Sequence, residues 1–203
     1  MLQVVTGFTL AVGAWMTVAP AVGQTPPRRE TIRTEFRIFN GTTDVSAETR
    51  LRIRPSGSTE TGHVLDTGAL AADLPAGIYD VQAVRQRAGE VVSVRWAEKL
   101  VVMAYPDEGG RHLEVINFAS EHGALQLRWL EGQAPTPAEV AVTVTRSGDS
   151  RPTPTRPIHG TGYALLVLPA GIYDVTVARQ GKQPVLLANV EIPADRTRMK
   201  VVQ

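Results

Sequence analysis

The chain has 203 residues, with 21 Lys+Arg against 20 Asp+Glu, four His, 18 Gly, 14 Pro and no Cys, and 43% of it is hydrophobic. A charge this near neutrality argues against a nucleic-acid module or a polybasic membrane anchor. The absence of cysteine removes disulfides, thiolate metal sites and a cysteine nucleophile, and the turn-rich composition points to one large or two small globular domains.

Residues 1–23 carry no charged side chain, and Val4 to Val18 is mostly apolar, interrupted by Thr6, Gly7, Thr9, Gly13 and Thr17. Ala21 and Gly23 suit the −3 and −1 positions of a signal peptidase site, so 1–23 reads as a signal peptide cleaved before Gln24. The run is short for a membrane span, which needs about 20 apolar residues. No Lys or Arg precedes it. Either the α-amino group supplies the only positive charge or translation starts further upstream; an uncleaved anchor and a buried element of the fold are the alternatives. Residues 24–30, with Pro26-Pro27-Arg28-Arg29-Glu30, read as an extended mature N-terminus. The expected location is secreted or periplasmic, with no stable membrane insertion after signal removal.

The strongest signal is an internal repeat. LPAGIYDV runs from Leu74 to Val81 and again from Leu168 to Val175, at an offset of 94 residues. Thr67-Gly68 and Arg85-Gln86 recur at the same offset, as Thr161-Gly162 and Arg179-Gln180. Further upstream the offset is 91, matching Arg37 to Arg128, Ala47-Glu48 to Ala138-Glu139, and Ser56-Gly57 to Ser147-Gly148. The three extra residues fall in the Pro-rich stretch Arg151 to Pro157, where a surface loop accepts an insertion. The repeat divides the chain into a first domain over 31–118, a short linker over 119–123 and a second domain over 124–203.

Each unit reads as strands. Ala47 to Arg54 alternates, with Ala47, Thr49, Leu51 and Ile53 inward and Glu48, Arg50, Arg52 and Arg54 in water. Ala138 to Thr145 takes the same place in the second unit. Tyr79, Val81 and Ala83 form an inward row, repeated by Tyr173, Val175 and Val177. Glu90 to Ala104 is a long strand with an irregularity near Ala97-Glu98. Its continuously apolar end, Leu100 to Ala104, implies cover on both faces, by a long loop or by the other unit meeting Val101 and Met103. Turn signals about every ten residues and the lack of a long helical period give an all-β chain of two tandem Ig-like antiparallel sandwiches.

LPAGIYDV followed by Arg-Gln resembles the Leu-Pro-x-Gly-x-Tyr element of carboxypeptidase regulatory-like, transthyretin-like (prealbumin-like) sandwich domains. The resemblance implies a secreted or periplasmic fold of about seven strands, used as a non-catalytic module. It carries over no ligand residues. In turn chemistry, Pro75 and Pro169 fix φ at a turn, Gly77 and Gly171 complete it, and Tyr79 and Tyr173 bury their rings just after it, as in a tyrosine corner.

Candidate chemistry is sparse. The histidines His63, His112, His122 and His159 show no metal-ligand spacing, although Asp107, Glu108 and His112 share the segment Tyr105 to His112. A solvated acidic turn is the simpler account of that segment, so no metal and no cofactor is expected. Ser56-Gly57-Ser58 is not a nucleophile elbow, and the Gly-rich words open no helix that could cradle phosphate. No catalytic residue is assigned, and an enzyme of unidentified type is a distant alternative. Arg50, Arg52 and Arg54 form a basic surface row that either meets an acidic ligand or serves as a charged face that discourages edge pairing. Trp96 and Tyr105, with Asp107 and His112, are the candidate ligand-binding residues. Trp96 shares parity with Val92 and Val94, which also suits a core position, and Trp129 shares parity with Leu125 and Leu127. Asn40-Gly41-Thr42 matches a glycosylation sequon and more simply makes a turn. The resulting expectation is an exported module that binds an envelope or extracellular protein, with a starch-binding-like glycan module as the alternative and the first unit as the seat of specificity.

Overall fold

The computed structural model describes residues 31–60, 62–68, 70–103, 111–130, 135–160 and 162–203. The signal-peptide reading, the 24–30 segment, Tyr105 and Asp107 lie outside them.

Period-two alternation sets up the first group of strands. β1 (Thr31–Asn40) turns Ile32, Thr34, Phe36 and Ile38 to one side and Glu35, Arg37 and Phe39 to the other. It is followed by β2 (Thr43–Asp44), a 3-10 turn at Ser46–Glu48, β3 (Thr49–Pro55), β4 (His63–Leu65), β5 (Ala71–Pro75), β6 (Gly77–Arg87), β7 (Glu90–Val102) and β8 (Arg111–Asn117). The strand expected from Ala47 therefore starts at Thr49; Leu51 and Ile53 face inward from it. One sheet has β1 at its centre, with β2 and β5 antiparallel along one edge and β8 parallel along the other. The facing sheet runs β4-β3-β6-β7. Phe36, Ile38, Leu51, Ile53, Leu74 and Val81 fill the space between them.

The second group repeats this plan. β9 (His122–Trp129), a 3-10 turn at Pro137–Glu139, β10 (Val140–Arg146), β11 (Pro152–Thr153), β12 (Ile158–Gly160), β13 (Tyr163–Pro169), β14 (Gly171–Arg179), β15 (Val185–Ile192) and β16 (Thr197–Val202) form the sheets β12-β13-β9-β16 and β11-β10-β14-β15. Leu125, Leu127, Leu166, Leu168, Val175 and Val177 lie between them. The chain is an all-β protein of packed sheets, antiparallel except where the last strand of each group closes on the first: β8 on β1 and β16 on β9 are parallel.

The registers agree residue for residue. β3 pairs with β6 from Thr49 opposite Arg85 to Pro55 opposite Tyr79, and β10 pairs with β14 from Val140 opposite Arg179 to Arg146 opposite Tyr173. The Tyr79 hydroxyl donates to the Pro75 carbonyl at 2.8 Å, and Tyr173 does the same to Pro169 at 2.8 Å. The next residue of the motif also acts alike in both groups. Asp80 Oδ1 accepts from the Lys99 amide at 3.1 Å, and Asp174 Oδ1 accepts from the Asn189 amide at 2.9 Å. Lys99 and Asn189 both have positive φ, 56° and 53°, at a register shift that opens between Tyr79 and Val81 and between Tyr173 and Val175. A bulge leaves an unpaired amide, and the aspartate of the repeated motif takes it. The first bulge is the irregularity expected near Ala97-Glu98.

The two groups meet through the outer faces of the β1 and β9 sheets, where apolar side chains sit among Glu35, Arg37, Gln126 and Arg128. Phe39 and Leu113 from β1 and β8 pack with Ala124, Tyr163 and Leu165 from β9 and β13, with Val115 and Val167 beside them. Arg37, ion-paired with Glu35 at 2.7 Å, reaches the Tyr163 hydroxyl across the seam. Burial pushes that hydroxyl's pKa up, Glu35 adds to the shift, and Arg37 opposes it. Arg95 of β7 pairs with Asp195 beyond β15. This corrects one expectation: Val101 and Met103 are 46% and 43% exposed and take no part in the seam. Asn117 ties the end of β8 to the turn between β1 and β2. Its amide accepts from the Gly41 N–H at 3.0 Å and donates to the Gly41 carbonyl at 2.8 Å. β8 ends at that residue and β9 begins at His122.

Candidate functional site

The outer face of the β4-β3-β6-β7 sheet brings together four of the residues the sequence singles out, Arg50, Arg52, Arg54 and Trp96. Alternation on β3 puts Leu51 and Ile53 in the core, so Arg50 and Arg52 must stand in solvent and Arg54 at its margin. On β6, Tyr79, Val81 and Ala83 face inward, which turns Ile78, Asp80, Gln82 and Val84 outward. Strand pairing then lines the rows up: Arg52, Gln82 and Trp96 cross the sheet in one row, and Arg50, Val84 and Val94 in the next.

The parity argument for Trp96 holds and its face does not. Val92, Val94 and Trp96 do share a side, but it is the outer one, and they are 49%, 53% and 42% exposed. The physical reason is that Ala97, Leu100 and Val102 supply the apolar contacts of β7 to the core, while Ser93 and Arg95 carry the inner row on to the rim. Val64, Ile78 and Val101 extend the exposed apolar area on the same face. Trp129, by contrast, is buried in the second core.

The arginines are held differently from one another. Arg50 pairs with Asp66 at 2.8 Å in a well-solvated bridge. The Arg54 guanidinium lies 5.0 Å from the centre of the Trp96 ring and 3.9 Å from Asp80, a cation–π arrangement at a half-exposed site. Arg52, between them, has no ion-pair partner among the described residues. β3 lies inside the sheet between β4 and β6, so this basic row guards no edge.

Asp80 underlies the face. The Lys99 amide, opposed by burial and helped by the Ser56 hydroxyl, the Gly57 amide and Arg54, holds its carboxyl below the usual carboxylate range. A depressed folded pKa means stability that is present above the ordinary carboxylate pKa and lost as pH falls through the lower folded value. Asp80→Ala is expected to cost about 1–3 kcal/mol at neutral pH, the scale of leaving a buried donor unpaired. Asp80→Asn is expected to flatten the acid limb of the stability curve below about pH 4. Urea titrations at several pH values check both; parallel curves for wild type and Asp80→Asn would contradict the assignment.

The remaining candidates are not brought together. His112 is buried on β8, with Nε2 2.9 Å from Glu114 Oε1, away from this face. Tyr105 and Asp107 lie outside the described residues. Pro75, Gly77 and Tyr79, with Pro169, Gly171 and Tyr173, sit at the equivalent β5–β6 and β13–β14 corners. Among the described residues, no three His, Asp or Glu side chains converge as metal ligands. A crevice where the two groups meet, lined by Val115, Asn117, His122 and Arg196, has room for about one water molecule. No helix among the described residues is long and apolar enough to cross a membrane, which says nothing of a β-barrel.

Fold and face together define an all-β protein of packed sheets with one exposed, basic and apolar sheet surface. No protein-family model matches the chain, and no curated protein matches it in sequence. Among solved structures it is similar to the Bacillus anthracis TIE protein, with 14% identity over 84% of this chain and 34% of that one, at a TM-score of 0.31. A fimbrial protein from Bacteroides ovatus has 8% identity over 86% of this chain and 49% of its own, at a TM-score of 0.33. The C-terminal fragment of the pilus adhesin SpaC from Lactobacillus rhamnosus GG has 10% identity over 84% of this chain and 96% of its own, at 0.27. The chain thus spans about a third of the TIE protein and half of the fimbrial protein. Similarities of this size assign neither family nor function.

Proposed function

We propose that the chain is an exported, non-catalytic module of two tandem sandwich domains, 31–118 and 124–203, of the carboxypeptidase regulatory-like kind. It works in the cell envelope or outside the cell, secreted or periplasmic, and binds another protein through the outer face of β3, β6 and β7. One observation carries this reading: Val64, Ile78, Val92, Val94, Trp96 and Val101 are all exposed on that single face, around three arginines. Exposed apolar side chains interleaved with polar and cationic groups are the composition of a contact surface, and Trp and Arg are among the residue types that most often dominate binding energy. Exposure of Trp96 also favours a second reading, a glycan stacked on the indole. Against it stands Arg54, which already covers one face of the ring.

The test is a comparison of variants. The mature protein is immobilised against envelope extract as wild type, as Trp96→Ser, and as Leu186→Ser, the equivalent exposed site of the second domain. The reading predicts that a retained protein is lost at least tenfold with Trp96→Ser and kept with Leu186→Ser. Retention unchanged in Trp96→Ser would overturn it. Glycan-array binding that vanishes with the same substitution would move the assignment to the second reading.

A further inference from the structure

Arg50, Arg52 and Arg54 occupy alternate positions of β3, which spaces them about 6.8 Å apart along the strand. Among the described residues, few carboxylates reach them. Asp66 bridges Arg50 from a side chain that is 76% exposed, and a pair so exposed contributes little and exchanges readily with another anion. Asp80 is shared between Arg54 and the backbone of the bulge. Arg52 stands at the centre with no carboxylate at hand among the described residues.

The scaffold does not require this row. The equivalent positions on β10 are Ala141, Thr143 and Thr145, in the same register against β14 as β3 keeps against β6. A strand of the same length and pairing therefore forms with no charge on its outer face. The row is a local addition to a duplicated frame, and it runs beside the apolar row Val94 and Trp96, two strands away or about 10 Å.

We infer that this face recognises an acidic, extended segment of a partner protein, with carboxylates on every second residue, lying along β3. The period is the reason for choosing an extended polypeptide. A strand places alternate side chains on one side at the same spacing as the arginines, so three carboxylates meet three guanidinium groups without strain. Groups flanking the segment then pack on Val94 and Trp96. A carboxylate that takes Arg54 draws the guanidinium away from the indole, so Trp96 reports the event. The inference rests on the reading of this face as a protein-binding surface and specifies the partner.

Three synthetic peptides test it against the full mature chain: four Glu-Thr repeats, four Gln-Thr repeats, and four Glu followed by four Thr. Tryptophan fluorescence and calorimetry are the readouts, with Trp96→Phe to identify the emitting residue. The alternating acidic peptide is expected to bind at least tenfold more tightly than either of the others and to weaken as salt is raised. Arg52→Glu is expected to weaken it at least tenfold and Arg52→Gln by less, while Arg198→Glu on β16 leaves it unchanged. Equal binding of the block peptide would reduce the effect to net charge and overturn the inference, as would indifference to Arg52→Glu. Polygalacturonate bound as tightly as the alternating peptide, with the same Arg52 dependence, would overturn the assignment to a polypeptide. If Trp96→Ser abolishes capture from envelope extract while no acidic peptide binds, the face remains a protein-binding surface and the acidic-strand inference alone falls. If neither happens, both fall.

Discussion

Replacing Tyr173 with alanine is expected to destabilise the protein by about 3–5 kcal/mol, the range for deleting a buried aromatic ring. The side chain is 1% exposed, it belongs to the second core, and its hydroxyl holds the Pro169 carbonyl at the corner between β13 and β14. Tyr173→Phe separates the two contributions. It keeps the ring and removes one hydrogen bond, and so is expected to cost about 1 kcal/mol. The equivalent Tyr79→Ala is expected to behave alike in the first core, since its ring is also buried and its hydroxyl bond has the same length. Chemical denaturation followed by circular dichroism measures all three. Superimposable curves for wild type and Tyr173→Ala would mean that the corner is an ornament of the repeat and bears no load.

Phe39→Ala is expected to act between the halves and leave each half's own core intact. The ring is 1% exposed and lies in the seam with Leu113, Ala124, Tyr163 and Leu165, while neither sandwich core includes it. The cost of the cavity, about 3–5 kcal/mol, therefore falls on the coupling of the two units. Calorimetry is expected to show one cooperative transition for wild type and two for the variant. A single transition merely shifted to lower temperature would place Phe39 in the core of the first unit instead.

Which residues of a strand share a side can be read from the alternation of side chains, because that pattern is local; where the strand begins cannot, since 3-10 turns take up Ala47 and Ala138, from which the two strands are expected to run. The corners and their prolines were equally legible, since turn chemistry depends on neighbours in sequence. Parity does not say which side faces inward. Trp96 shows this: alternation groups it with Val92 and Val94, yet the row lies outside because the contacts of β7 to the core come from Ala97, Leu100 and Val102. The seam was missed for a related reason. Leu100 to Ala104 is the uninterrupted apolar run of the first unit, but Val101 and Met103 within it are exposed. The run that is covered on both sides is Tyr163 to Leu168, six apolar residues in succession, five of them buried and the sixth half-buried. That run, with the buried polar partners Gln126 and Arg128 on the neighbouring strand, was the available signal for a sheet enclosed between two others. Asp80 and Asp174 were visible as repeated letters, but their task needs Lys99 and Asn189, 19 and 15 residues away across the sheet.

The working surface is most directly tested by placing a photocrosslinking side chain at Gln82, on the outer face beside Trp96, and in a separate variant at Thr176, which holds the equivalent place beside Leu186. Irradiation in living cells is expected to join a second polypeptide to the protein from position 82 and none from position 176. An adduct from position 176 alone, or from neither, would contradict the claim that this one sheet face is where the molecule meets its partner.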